Sequence, residues 1–203
     1  MAWRLTVNLQ HPIVGLPSNV VDETESEETR EVRVLAYNIA GWKKVKLNSK
    51  RVCIVPVYLN CNEWNEDFGR FSELMWELTA KYEYCIAIGD LNGRISCEQK
   101  IPRHIIPDQH CLIRLDRNSK DNIMNRNGSR LITLLNELNM IILNGRTKGD
   151  NQGEFTYVGG QGSSVIDVCA ASCSSLQLIS DFKVDNEFFL RSFSNNTQTE
   201  DYE

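Results

Sequence analysis

A chain of 203 residues, 41% hydrophobic and 24% charged, holds enough apolar side chains for one substantial core and is too short for a second. Its net charge of −5 argues weakly against a nucleic-acid partner, but six acids crowd into Asp22 to Glu31 and three more end the chain at Glu200, Asp201 and Glu203. The remainder is mildly basic, which permits a phosphate-handling face.

No apolar stretch approaches the roughly 18 residues a membrane span needs. The seven cysteines are odd in number, several sit inside apolar runs, and no secretory leader precedes them, so they read as reduced thiols of an intracellular protein. Cys169 and Cys173 lack the histidine or second cysteine pair of a zinc set.

Taken in order, residues 1–31 show no sustained period and end in the acidic run, and are expected to form a disordered extension. Val32 to Tyr37 predicts a strand, and Val52 to Leu59 a second. Pro56 removes a ladder donor, so this strand needs a bulge or a partly free edge there. Tyr58 lies near its end, where a phenol can reach into a site or simply pack with its hydroxyl wet. Asp67 to Lys81 predicts a helix capped by Asn65, with Phe68, Phe71, Leu74, Met75 and Leu78 on one face.

Tyr84-Cys85-Ile86-Ala87-Ile88 is a short apolar run that stops at Gly89-Asp90-Leu91-Asn92-Gly93. Such a run suits a central strand buried on both faces. Asp90 and Asn92, two apart on extended chain, are expected to project the same way at its C-terminal rim. The carboxylate can accept a proton and the amide can donate to a phosphate oxygen, although Gly-Asp-x-Asn is also good turn chemistry.

Residues 95–126 lack periodicity and read as a long loop crossing the surface near that rim, with His104 and His110 as ordinary surface histidines. A helix is expected from Gly128 to Leu138 with Asn127 as its cap and Leu131, Leu134, Leu135 and Leu138 as its stripe. Met140 to Asn144, Glu154 to Val158 and Ser164 to Cys169 predict three further strands, the last carrying Asp167 within an apolar run. Two helices among consecutive strands predict an α/β domain that is not a simple parallel series.

As an ordered set, Gly89-Asp90-Leu91-Asn92, Arg117 to Asp121, Asn127-Gly128, Ile141 to Gly145, Gly149-Asp150, Gly153 to Thr156 and Ser164 to Asp167 resemble the endonuclease/exonuclease/phosphatase superfamily. Within it, the likeness is to the apurinic-like endonuclease domain of insect non-LTR retrotransposons, a reverse-transcriptase-associated nuclease. The resemblance covers about residues 32–184, with 185–203 as an unrelated tail. It implies a DNase I-like four-layered α/β/β/α sandwich of two mixed sheets, with the site at one rim. It also implies Mg²⁺-dependent hydrolysis of a phosphodiester, a DNA partner, a monomer, and a nuclear location if the chain acts on DNA. By the same resemblance Asp90 orients or deprotonates the attacking water, Asn92 bonds the phosphoryl oxygens, Tyr58 aids the leaving group or grips the phosphate, and Asp167 orients a histidine.

That histidine has no counterpart, since none follows His110. Where the family carries a Ser-Asp-His triplet, this chain reads Ser192-Phe193-Ser194-Asn195; Ser180-Asp181-Phe182 imitates the triplet but falls too early and better matches a family strand of the Asp-Phe-x-Val type. Tyr37-Asn38-Ile39-Ala40-Gly41 imitates the family's metal-site asparagine, yet too few residues separate it from Tyr58. The alternative places Val32 to Lys46 in the hairpin before the Tyr58 strand, which removes both opening motifs. Either way the metal-binding glutamate is missing, and the expectation is an incomplete fold truncated at both ends. Its Mg²⁺ binding is in doubt, its metal ligands are unknown, and its activity is impaired. The competing expectation is a catalytically inactive, transposon-derived remnant that acts, if at all, as a binding protein.

Overall fold

The computed structural model of the chain describes residues 2–7, 30–32, 43–47, 50–102, 113–160 and 162–185. Ten strands and two α-helices follow one another in this order: β1 (Ala2–Val7), β2 (Arg30–Val32), β3 (Lys43–Leu47), β4 (Lys50–Tyr58), α1 (Trp64–Lys81), β5 (Tyr84–Asp90), α2 (Arg126–Glu137), β6 (Met140–Ile142), β7 (Tyr157–Gly159), β8 (Gly162–Ser164), β9 (Asp167–Ser172) and β10 (Ile179–Asp185). A 3-10 turn at Cys173–Leu178 joins the last two. The main sheet has the order β3-β4-β5-β9-β6, a smaller sheet has β10-β1-β2, and β7 and β8 form a separate hairpin.

The mixed character of the main sheet follows from its connections. Helix α1 carries the chain back so that β5 runs parallel to β4, whereas β9 meets β5 antiparallel. Alternation then divides the side chains of β4, β5 and β9 between two faces. Cys53, Val55, Cys85, Ala87, Val168 and Ala170 pack against Trp64, Phe68, Phe71, Met75 and Leu78 of α1 and against the leucine stripe of α2. Val52, Ile54, Ile86, Ile88, Cys169 and Ala171 face the other way, with Phe182 and Val184 of β10. The described residues thus make three layers, helices over a mixed sheet over a smaller sheet.

Several local expectations change. Helix α1 begins three residues early, at Trp64, because its indole Nε1 donates to the Leu91 carbonyl at 2.8 Å and ties the helix start to the chain leaving β5. Asn65 is no cap; its Oδ1 accepts from Arg130 at 2.6 Å. Helix α2 is capped by Asn125, whose side chain accepts from the Gly128 N–H at 2.7 Å, and Asn127 instead donates to the Asn92 carbonyl. Among the described residues β3 pairs with β4 as far as Ile54, two residues short of Pro56.

Residues 1–31, expected as an extension outside the fold, contribute a strand. Ala2–Val7 pairs antiparallel with β10, from Ala2 opposite Asp185 to Leu5 opposite Phe182, and Arg30–Val32 pairs with β1. The alternation of Ala2-Trp3-Arg4-Leu5-Thr6-Val7 is a strand pattern too short to stand out, and its partner lies at the far end of the chain. Residues 8–29, 33–42 and 186–203 lie outside the described residues, and with them the acidic run up to Thr29, Asn38 and the expected tail.

Residues 95–102 and 113–126 are pinned inward by arginines. Arg146 is fully buried, and its guanidinium donates to the carbonyls of Arg114 at 2.9 Å, Leu115 at 2.5 Å and Gln99. Arg117, also buried, donates its Nε to the Glu98 carbonyl at 3.1 Å. Burial lowers both to a pKa of about 10. His104 and His110 lie outside the described residues.

Candidate functional site

Three of the four sequence-derived candidates fall in one row. Tyr58 is the register partner of Asp90 across β4 and β5, and Asp90 is the partner of Asp167 across β5 and β9. All three continue the face that carries Ile54, Ile88 and Cys169, so they stand at the end of the core between the two sheets. Tyr58 is 64% exposed, Asp90 half-buried and Asp167 only 9% exposed. The row therefore runs from open solvent to interior.

Gly89 makes this closeness possible. Its φ is +150°, and a Cβ there would stand 1.9 Å from the Val57 carbonyl oxygen. At the end of the row the Leu59 N–H bonds the Asp90 carbonyl at 2.9 Å, and the Leu91 N–H bonds the Ile166 carbonyl at 3.0 Å. Because Leu91 and Ile166 are bonded, alternation makes Asp90 and Asp167 the neighbouring non-hydrogen-bonded pair, where antiparallel strands bring side chains closest.

Asn92 departs from its expected role. Its φ is +47°, so it has left the extended chain, and it meets Asp90 through a turn instead of by strand alternation. Its N–H donates to Asp90 Oδ1 at 3.0 Å, and its Nδ2 donates to the Leu59 carbonyl at 2.8 Å. The glycine-flanked Gly-Asp-x-Asn segment turned the chain sooner than strand alternation assumed. The asparagine clamps the end of β4 to the turn after β5, and its amide is already in use.

Among the described residues no lysine or arginine pairs with either carboxylate. Burial raises the pKa of Asp90, and the main-chain and side-chain bonds from Asn92 oppose that rise. Asp167 is pushed up to about 6, chiefly by burial; the Thr156 hydroxyl opposes this, and the charge of Asp90 adds to it. Each carboxyl can thus hold or release a proton nearer neutrality than an ordinary acid.

Residues that the resemblance includes without assigning them a role hold this row. Thr156, buried, accepts at Oγ1 from the N–H groups of Ile166 and Asp167 at 3.0 and 2.9 Å. Asn144, buried, donates to the Asp167 carbonyl. The expected strand from Glu154 to Val158 starts only at Tyr157, although the Thr156 N–H still bonds the Ser164 carbonyl at 3.0 Å while its hydroxyl serves β9. The expected strand from Ser164 likewise splits into β8 and β9, with Asp167 as the first residue of β9. Behind the row, Arg94 makes a two-point bond to buried Asp121 at 2.8 and 2.6 Å, and Asp121 also accepts from the N–H groups of Val165 and Ile123. Spacing alone gave no signal for this pair.

The hairpin that follows Thr156 exposes Tyr157 and Val158, and the turn after Asp121 exposes Ile123 and Met124. Among the described residues no group of three or more histidine, cysteine, aspartate or glutamate side chains is placed to hold a metal ion. The described candidates for such an ion are two carboxylates, of which Asp167 is bonded to Thr156, while the Asn92 amide donates to Leu59. No described helix is long and apolar enough to cross a membrane.

No family model and no curated protein matches the chain. Among solved structures it is similar to the endonuclease domain of TRAS1, a telomere-specific non-LTR retrotransposon, at 13% identity and a TM-score of 0.35. The match covers 82% of this chain, which spans 64% of that domain.

Proposed function

We propose that the chain is an incomplete DNase I-like domain of retrotransposon-endonuclease type, whose rim is a reduced phosphodiesterase site acting on DNA. The observation that carries this is the single row Tyr58, Asp90, Asp167 at the mouth of the inter-sheet core. Asp90, with its raised proton affinity, accepts a proton from water. Tyr58, exposed beside it, donates to a phosphate or leaving-group oxygen. Asp167 holds a proton next to Asp90 and keeps the row electrostatically tolerable, with no histidine to orient.

Among the described residues this set has no free cation to offset phosphoryl charge, since the nearby Arg94 is committed to Asp121. An acid and a phenol supply on the order of 3 kcal/mol, about a hundredfold, against the far larger acceleration of a complete nuclease. The Mg²⁺ expected for the family would supply the missing charge, with Asp90 and Asp167 as the described carboxylates nearest the rim. Nicking of supercoiled plasmid by the full chain, with and without added Mg²⁺, tests the proposal. Slow nicking that is lost in D90A supports it. Wild type no more active than D90A rejects it.

The second reading is an inactive remnant that binds DNA or a protein. What favours it is the commitment of the Asn92 amide to Leu59, which removes the phosphate donor from the rim. Plasmid binding that D90A leaves unchanged, without nicking, supports this reading.

A further inference from the structure

Asn144 is fully buried where the chain leaves the sheet after β6. Leu143 still donates its N–H to the Cys169 carbonyl at 2.8 Å, the next rung after Ile142 opposite Ala170. The reciprocal main-chain rung is replaced: the Leu143 carbonyl accepts instead from the Arg146 N–H at 3.0 Å, closing a turn through Gly145, whose φ is +73°. A Cβ on Gly145 would stand 1.9 Å from the Asn118 carbonyl oxygen, so the turn is tight against its neighbour.

The Asn144 side chain fills the rung. Its Oδ1 accepts from the Cys169 N–H at 2.9 Å, and its Nδ2 donates to the Asp167 carbonyl at 3.1 Å. One amide side chain thereby presents to β9 both the acceptor and the donor that a further stretch of β6 would have offered. The first strand can turn away while the second runs straight on to the rim.

The place where this happens matters. Asp167 and Asp90 form a non-hydrogen-bonded pair, so the N–H and C=O of Asp167 point away from β5. The N–H is met by Thr156 and the C=O by Asn144. We propose that Asn144 is a positioning residue: by standing in for the end of β6 it fixes the β9 backbone at Asp167 and so sets the Asp167 carboxyl against Asp90. What this does for function rests on the phosphodiesterase reading above; the geometry itself does not.

Among the described residues, the groups facing the Asp167 carboxyl are the Asp90 carboxyl on β5 and the Thr156 hydroxyl, with the Tyr58 phenol one strand further along the row; the charge of the chain's N-terminus also acts on it. Asp150 is an internal comparison. It is also pushed up to about 6 by burial, and it accepts from the Gly145 N–H at 3.0 Å, directly beside Asn144.

The test is carbon-detected NMR titration of the aspartate carboxyls in the full chain without nucleic acid, together with hydrogen exchange at the Cys169 amide. In N144A the Asp167 midpoint falls from about 6, by about tenfold or more in proton affinity, as β9 frays and the carboxyl gains water. The Cys169 amide exchanges faster, and the Asp150 midpoint stays where it was. N144D keeps the acceptor for Cys169 and puts an acid where the donor to Asp167 stood, so Cys169 stays protected and the Asp167 midpoint rises. If N144A does not fold, N144D alone decides.

An Asp167 midpoint that is unmoved in a folded variant overturns the proposal, as does a shift at Asp150 without one at Asp167, which marks a residue that only braces the turn. None of these readouts needs catalysis. The expected shifts in a chain that never nicks DNA would retain the positioning role and reject the phosphodiesterase reading.

Discussion

Asp121 and Asp167 are buried to a similar degree and sit on connected segments, yet their surroundings treat charge in opposite ways. Asp121 receives the two-point bond of Arg94 and two main-chain N–H groups, and its pKa is lowered despite its burial. Asp167 faces another carboxylate and has a hydroxyl for its main partner, and its pKa rises. The difference separates a carboxylate whose charge holds loops together from one whose charge the fold merely tolerates. Perturbed acids beside a rim are the usual mark of a site that handles protons.

The largest effect comes from removing that asymmetry at Asp121. R94A leaves the carboxylate buried without its cation and is expected to cost about 3 kcal/mol in urea unfolding, with the loss centred on the Asp121 turn and β8. The Asp121 midpoint should rise, as at Asp167. G89A is next: its Cβ meets the Val57 carbonyl, and the strain with the forced separation of β4 from β5 should cost about 2 kcal/mol or more. The Arg94–Asp121 pair should survive it, so G89A loosens the rim and leaves the structural carboxylate alone.

D167N should act with the opposite sign. A carboxyl with a folded pKa of about 6, above its unfolded value of about 4, takes up protons more readily when folded. Stability therefore falls as pH rises from about 4 to about 6, and the loss is complete above that window. D167N should stabilise the chain at pH 8 by up to about 3 kcal/mol, and the gain should vanish at pH 4. Paired denaturation curves at the two pH values check this.

The smallest effect lies in the helix layer. Arg130 stacks over the Trp64 and Phe68 rings at 5.1 and 4.4 Å and bonds Asn65, so R130A should cost about 0.5–1 kcal/mol and change neither carboxyl midpoint.

The sequence was most legible where local pattern and tertiary role agree. Strand β5 reads as buried on both faces because every residue from Tyr84 to Ile88 is apolar, and the rim follows from where that run stops. Tyr58 was legible as a strand-end residue, whereas Asp167 was read inside a strand from Ser164 to Cys169 and is the first residue of β9, in one row with Asp90 and Tyr58. Asn92 was misjudged because one left-handed residue cancels strand alternation. Strand β1 and the roles of Asn144, Thr156 and the Arg94–Asp121 pair were illegible for a different reason: Asn144, Thr156 and Asp121 stand in segments that carry the resemblance, but each role depends on a partner remote in sequence, and period and spacing carry no trace of such partners.

The most direct measurement is the Asp167 carboxyl titration in the full-length D90N variant. If the two acids are neighbours across β5 and β9, removing the Asp90 charge lowers the Asp167 midpoint below about 6 while Asp121 is unmoved. An Asp167 midpoint identical in wild type and D90N would mean that the two carboxyls do not share a rim.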